Sequence, residues 1–176
     1  MSEAGAGTEV VAVTGHRPQH LDGDFSLSSP FWMWIAAHLD RCLVGAAHLR
    51  CGMAIGVDIL AAERAWLLDL PYSAFVPFEG QAGNWPQSSR IRYARTLTRA
   101  SRRILVHEGG YAAWKLHSRN LAMLTGTVGE ASHGSASRLI AVWNGKQSGG
   151  TYQTVVKAEA LGIEVVRIDP ALAPSS

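Results

Sequence analysis

The chain has 176 residues, 47% hydrophobic and 17% charged, with a formal net charge of +2 at pH 7. That length suits one domain around a single core, and the composition excludes a fibre or a disordered chain. The small charge gives no argument for a nucleic-acid surface, and no apolar run approaches the roughly 20 residues that a membrane helix needs.

Cys42 and Cys51 lack a CxxC spacing and read as buried thiols rather than a disulfide framework, so a reducing cytoplasm is the default compartment. Residues 1–8 lack the basic and apolar regions of a signal peptide and are expected to be a flexible tail, as is 170–176.

In chain order, Glu9 to Thr14 reads as a strand because Val10, Val11 and Val13 are β-branched and a glycine turn follows. Ser29-Pro30 then opens a helix, with the serine as N-cap and the proline at the first helical position. Phe31, Ile35, Leu39 and Cys42 form its buried stripe, and Gly45 ends it. A second strand is expected over His48 to Ala54, and a second helix over Gly56 to Leu70 that is apolar nearly all round. Such a helix is sandwiched between layers or buried at a subunit contact.

Strands over Tyr72 to Phe78 and Arg103 to His107 alternate with helices over Pro86 to Ala100 and Ala112 to Leu124. Gly126 to Ser137 breaks the alternation and is expected to be a flexible surface loop. A strand over Arg138 to Trp143, a helix over Gly150 to Leu161 and a strand over Ile163 to Ile168 complete the pattern. The alternation implies an α/β fold, a Rossmann-like three-layer sandwich with a mostly parallel sheet, in one domain over residues 9–169.

Three glycine-bearing junctions follow strands: Thr14-Gly15-His16-Arg17-Pro18, Gly52-Met53-Ala54-Ile55-Gly56-Val57-Asp58, and Asn144-Gly145-Lys146-Gln147-Ser148-Gly149-Gly150-Thr151. In a parallel sheet such junctions gather at the strand carboxyl ends, and bare N–H groups at a helix start attract phosphate. Gly15 can take a left-handed backbone, and His16 and Arg17 stand where side chains enter the crevice. Arg17 is either a phosphate fork or the partner of a carboxylate. Asp58 either complements its helix dipole or accepts a ribose hydroxyl, whereas Glu63, five residues on, reads as a structural charge.

Gly149, Gly150 and Thr151 offer two unhindered N–H groups and a hydroxyl, with Lys146 beside them. Neither a Walker A loop nor a GxGxxG fingerprint is present, so a dinucleotide cofactor is disfavoured. The histidines form no HxH or HExxH pattern and no GxSxG elbow occurs; no metal and no cofactor are expected. Trp85 and Tyr93 flank a polar segment where one could stack on a base while Gln81 or Asn84 reads its edge. Trp32, Trp34, Trp66 and Trp143 read as packing, and Tyr111, Trp114 and Lys115 as a possible lid. Arg92, Arg95, Arg99 and Arg103 fall at helical spacing and read as a solvated face with local ion pairs.

The three junctions, the fragment Pro77-Phe78-Glu79-Gly80-Gln81 with Trp85 and Tyr93, and Arg119-Asn120 with Met123 together resemble the SLOG superfamily over residues 9–169. That superfamily joins the DNA-processing protein A core, the lonely-guy phosphoribohydrolases and the YspA-like proteins. The Thr14 to Pro18 and Gly52 to Asp58 motifs point to the YspA-like branch. The resemblance implies a nucleotide or nucleotide-derived ligand at the strand carboxyl ends, with Gly52, Gly56, Gly149, Gly150 and Thr151 around phosphate and Arg119 beside it. The lonely-guy enzymes cleave an N-glycosidic bond with an arginine and a glutamate. Here Gln153 or Thr154 stands where the glutamate is expected, which counts against that hydrolysis unless Glu79 or Asp58 reaches the sugar.

The expected function is therefore a sensor or sequestering module for a nucleotide. The alternative is a nucleoside-phosphate N-glycosidase using Arg119, Asp58 and Glu79. The expected ligand contacts are Gly15, His16, Arg17, Gly52, Gly56, Asp58, Gln81, Trp85, Tyr93, Arg119, Asn120, Lys146, Gly149, Gly150 and Thr151. A third reading, a DNA-binding protein related to DNA-processing protein A, has the arginine row as its only local evidence. A homo-oligomer is expected, and neither a membrane nor a nucleic-acid partner is.

Overall fold

Six parallel strands form the central sheet in the computed structural model, which describes residues 8–21 and 25–175. The expected tail over residues 1–7 lies outside the described residues. The chain runs β1 (Val10–Gly15), α1 (Pro30–Leu43), β2 (His48–Cys51), α2 (Val57–Leu67), β3 (Tyr72–Val76), α3 (Gln87–Arg99), β4 (Arg102–Leu105) and α4 (Ala113–Thr125). A short antiparallel hairpin follows, β5 (Thr127–Val128) with β6 (Ala131–Ser132), then β7 (Arg138–Val142), α5 (Gly149–Ala160) and β8 (Glu164–Ile168).

The sheet order is β4-β3-β2-β1-β7-β8. β1 runs in register with β2 from Val10 opposite His48, and with β7 from Val11 opposite Arg138. Alternate side chains feed opposite layers: Val11, Val13, Ile140 and Val142 join the core under α1 and α2, whereas Ala12, Leu139 and Ala141 pack with Val155 and Ala158 of α5. The chain is thus a three-layer α/β sandwich of the Rossmann-like kind.

α2 owes its all-round apolarity to its place between the sheet and its neighbours α1 and α3, where Val57, Ile59, Leu60, Ala61, Ala62 and Ala65 are buried. The helix is therefore covered within one chain, and its composition no longer argues for a subunit contact. Only its end is open, where the Arg99 guanidinium lies 3.6 Å above the half-exposed Trp66 ring.

Gly126 to Ser137 differs from the flexible loop expected. Arg50, buried in β2, donates to the Met123 carbonyl at 3.2 Å and the His133 carbonyl at 3.1 Å, and these bonds hold the hairpin against the end of α4. The segment after β8 is also built, as a 3-10 helix over Pro170–Leu172 whose opening amide, Ala171 N–H, is accepted by Asp169. β2 stops at Cys51, short of Ala54, because the chain turns sharply at Met53, a non-glycine residue with φ 57°.

Candidate functional site

The strand order reverses between β1 and β7. β1 leads into α1 on one face, β7 leads into α5 on the other, and the two departing loops diverge to leave a crevice. That crevice is a cavity of about 480 Å³ at the carboxyl rim. It gathers Gly15, His16 and Arg17 from the first junction, Asp58 from the second, Arg119 and Asn120 from α4, and Lys146, Gly149, Gly150 and Thr151 from the third. Ten of the expected contacts are therefore brought together from four chain segments.

Beneath the cavity lies a connected polar floor. Asp58 and Arg119 are both buried; the Arg119 Nη1 stands 3.9 Å from Asp58 Oδ2 and also donates to the Gly52 carbonyl. Burial pushes the Asp58 carboxyl up and the Arg119 guanidinium down, and each charge opposes the other's shift. Asp58 also accepts from Ala54 N at 3.2 Å. Arg119 Nε donates to Asn120 Oδ1 at 2.8 Å, Asn120 Nδ2 donates to Thr154 Oγ1 at 2.9 Å, and Thr154 donates to the Gly150 carbonyl at 2.8 Å. This chain of bonds ties the start of α2 through α4 to the start of α5.

The upper wall is cationic and partly free. Arg17 and Lys146 are exposed and have no ion-pair partner among the described residues. His16 Nε2 lies 3.0 Å from Asn144 Oδ1, which also accepts from Lys146 N, so the imidazole is the donor. Burial, together with His20 and Lys146, holds the His16 pKa below its ordinary value against the raising effect of the Asn144 bond. Ser148, the N-cap of α5, makes no side-chain cap bond, which leaves the opening N–H groups of that helix available to an anion.

The glycines divide by role. A Cβ on Gly15 would stand 2.6 Å from the Val57 side chain, so glycine is required by close packing against α2 rather than by the left-handed backbone expected. A Cβ on Gly52 would stand 2.3 Å from the Arg119 guanidinium, so Gly52 makes room for the arginine and does not line the cavity. Gly56, with φ 99°, turns the chain into α2 against Pro18 and is likewise outside the lining.

Three expected contacts and the candidate catalytic acid Glu79 lie elsewhere. Glu79, Gln81 and Tyr93 border a separate hollow beside β4 and α3, and Trp85 packs edge-on against Tyr93 with ring centroids 5.4 Å apart. Glu79 accepts from Gly109 N at 2.9 Å, which joins the loops after β3 and β4. Lys115 is likewise engaged, donating to the carbonyls of Glu108 at 2.6 Å and Gly110 at 2.8 Å. Two members of the arginine row are held locally: Arg92 forms a bidentate pair with Glu63 at 2.5 and 2.8 Å, and Arg99 covers Trp66. Sequence reasoning missed Gln19, His20, His117, Asn144 and Ser148 as lining residues. Asn144 carried a readable signal, since it stands two residues beyond the end of β7; His117 and His20 carried none.

No family model matches the chain, and no curated protein shows significant similarity to it. Solved structures do match. DNA processing protein A from Streptococcus pneumoniae superposes with a TM-score of 0.60 at 17% identity, over 92% of this chain and 50% of that one. The chain thus spans half the length of that protein. The same protein from Helicobacter pylori, whose structure describes its single-stranded DNA binding mode, gives a TM-score of 0.58 at 16% identity, over 95% of this chain and 68% of that one. The chain shares the Rossmann-like fold of these structures. A structural-genomics target designated TM1055 also matches, with a TM-score of 0.53 at 20% identity, over 90% of this chain and 72% of that one.

These likenesses correct one expectation. Nucleic acid is no longer set aside as a partner, because one of these proteins is described binding single-stranded DNA. The inference from a net charge of +2 fails for a physical reason: phosphate contacts are local, and the rim concentrates Arg17 and Lys146 on one edge whatever the chain's total charge. Among the described residues no helix is long and apolar enough to cross a membrane.

Proposed function

We propose that the protein binds a nucleotide or nucleotide-derived ligand at the β1/β7 crevice and acts as a sensor or sequestering module. The observation that carries this reading is the convergence of an α5 N-terminus without a side-chain cap and two cations, Arg17 and Lys146, that have no ion-pair partner among the described residues, at the topological switch point. The phosphate sits on the Gly149-Gly150-Thr151 turn, and Arg17 and Lys146 neutralise it. The same donors serve a free nucleotide or one unit of a single strand, and the strand-binding protein of like fold brings the second source within the proposal. The YspA-like branch is proposed on the Thr14 to Pro18 and Gly52 to Asp58 motifs alone.

Binding is favoured over N-glycosidic cleavage by the state of the acids. Among the described residues Asp58 is the one carboxylate lining the crevice, and its side chain is 5% exposed and paired with Arg119. A general base or an oxocarbenium stabiliser must meet the sugar, and Glu79, the other candidate, borders a different hollow. The test is calorimetric titration with nucleoside mono-, di- and triphosphates and with a short single-stranded oligonucleotide, followed by chromatography of each ligand. Saturable binding with the ligand recovered intact is the expected result; release of free base assigns a glycosidase, and no binding by any probe refutes the reading.

A further inference from the structure

We propose that the groove between α4 and α5 is the base subsite of this ligand, an inference that rests on the phosphate assignment above. The groove has a volume of about 410 Å³ and adjoins the crevice, with His117 and Asn120 lining both. Its walls are apolar where two packed helices would ordinarily close: Leu121 of α4 is 38% exposed and Val156 of α5 is 42% exposed. Tyr152 lines the same groove with its ring stacked on Trp143, centroids 6.0 Å apart and planes inclined by 27°. An aromatic ring already held parallel to a neighbour on one side is a rigid surface for a second flat group.

Position along α5 agrees with a nucleotide's dimensions. The helix rises about 1.5 Å per residue, so Val156 stands about 9 Å along the axis from Gly150, near the span from a 5′-phosphate to its base. A single occupant of the two adjoining spaces would therefore carry an anionic group at one end and a flat apolar group at the other. Asn120 is fixed in orientation by accepting from Arg119 and donating to Thr154, which ties its amide to the polar floor. Gln153 is exposed at the groove, and it takes the edge-reading role that the sequence pattern gave to Gln81. The Trp85 and Tyr93 pair is excluded from that role, since its rings pack on each other away from the crevice.

The test compares ribose 5-phosphate with the four common nucleoside 5′-monophosphates by calorimetry, on the wild-type chain and on a Leu121→Gln, Val156→Gln double variant. Both positions are exposed, neither touches the phosphate donors, and a thermal melt checks the fold. The wild type should bind at least one nucleotide about tenfold more tightly than ribose 5-phosphate, the scale of one base stacked on a protein surface. The double variant should lose that advantage while its affinity for ribose 5-phosphate is unchanged. A nucleotide advantage that survives the double substitution, or a wild type that does not distinguish the nucleotides from ribose 5-phosphate, overturns the base subsite and leaves the phosphate reading standing. Failure of every probe to bind would remove the phosphate reading itself. Sedimentation showing that a second copy covers the groove at working concentration would also overturn the assignment.

Discussion

The carboxyl rim of the sheet carries two hollows, and they are built to opposite plans. At the β1/β7 end, strand order reverses, loops diverge and the cationic Arg17 and Lys146 have no carboxylate partner among the described residues. At the β3/β4 end, the strands continue in one direction and the charged groups beside the hollow are engaged: Glu79 holds Gly109 N, and Lys115 holds the carbonyls of Glu108 and Gly110, while the buried Gln81 Oε1 has no partner among the described residues. A candidate anion site is thus marked less by which residue types are present than by where cations without a carboxylate partner among the described residues converge with a helix N-terminus. Trp85, Tyr93, Gln81 and Glu79 had the right chemistry in the sequence and stand at the other hollow.

The largest expected difference between the two regions is in stability. Arg119→Ala leaves Asp58 charged, buried and without its partner, and should cost about 3–5 kcal/mol in a denaturant titration. Glu79→Gln, on an exposed side chain at the other hollow, should change stability by no more than about 0.5 kcal/mol. Equal losses for the two would break the comparison. Gly52→Ala should cost about 1–3 kcal/mol, because the new methyl meets the Arg119 guanidinium in a filled site.

Binding should separate the regions next. Lys146→Ala and Arg17→Ala should each weaken nucleotide affinity about tenfold, about 1.4 kcal/mol, and make it less sensitive to salt, whereas Trp85→Phe should leave affinity unchanged. An affinity lost with Trp85 and kept without Lys146 would move the site to the β3/β4 side.

The smallest effect is on pH. His16 and His48 are both held below their ordinary pKa, chiefly by burial, so the unfolded chain takes up protons before the folded one. Their contribution is present above the unfolded value near 6.5 and is lost as pH falls through the lowered folded values. His48→Gln should therefore flatten the decline in melting temperature between about pH 7.5 and 5.5.

Much of the fold was legible because each element carried its own local signal. The β-branched run before Gly15, the Ser29-Pro30 helix start and the Gly162 stop act through backbone geometry a few residues long, and the corresponding elements lie within a few residues of their expected limits. The Gly126 to Ser137 segment was misread as mobile because its anchor is Arg50, far away in the chain. Within the site, the three glycine junctions were visible as local patterns, and so was the α5 N-terminus. The separation of Glu79 and Tyr93 from Arg17 was not, since a residue's place on the rim depends on strand order.

The sequence by itself therefore determined the alternation of strands and helices, the glycine-rich start of α5 at Gly149-Gly150-Thr151 and the absence of a carboxylate at Gln153. These are properties of neighbouring residues, fixed by backbone sterics and side-chain chemistry. Only the tertiary structure decided that the first and third junctions face each other, that Asp58 is committed to Arg119, and that Gly52 serves that arginine instead of a ligand. Such facts follow from how strands order themselves around a shared core, a long-range balance of burial and charge pairing that no short stretch of the chain encodes.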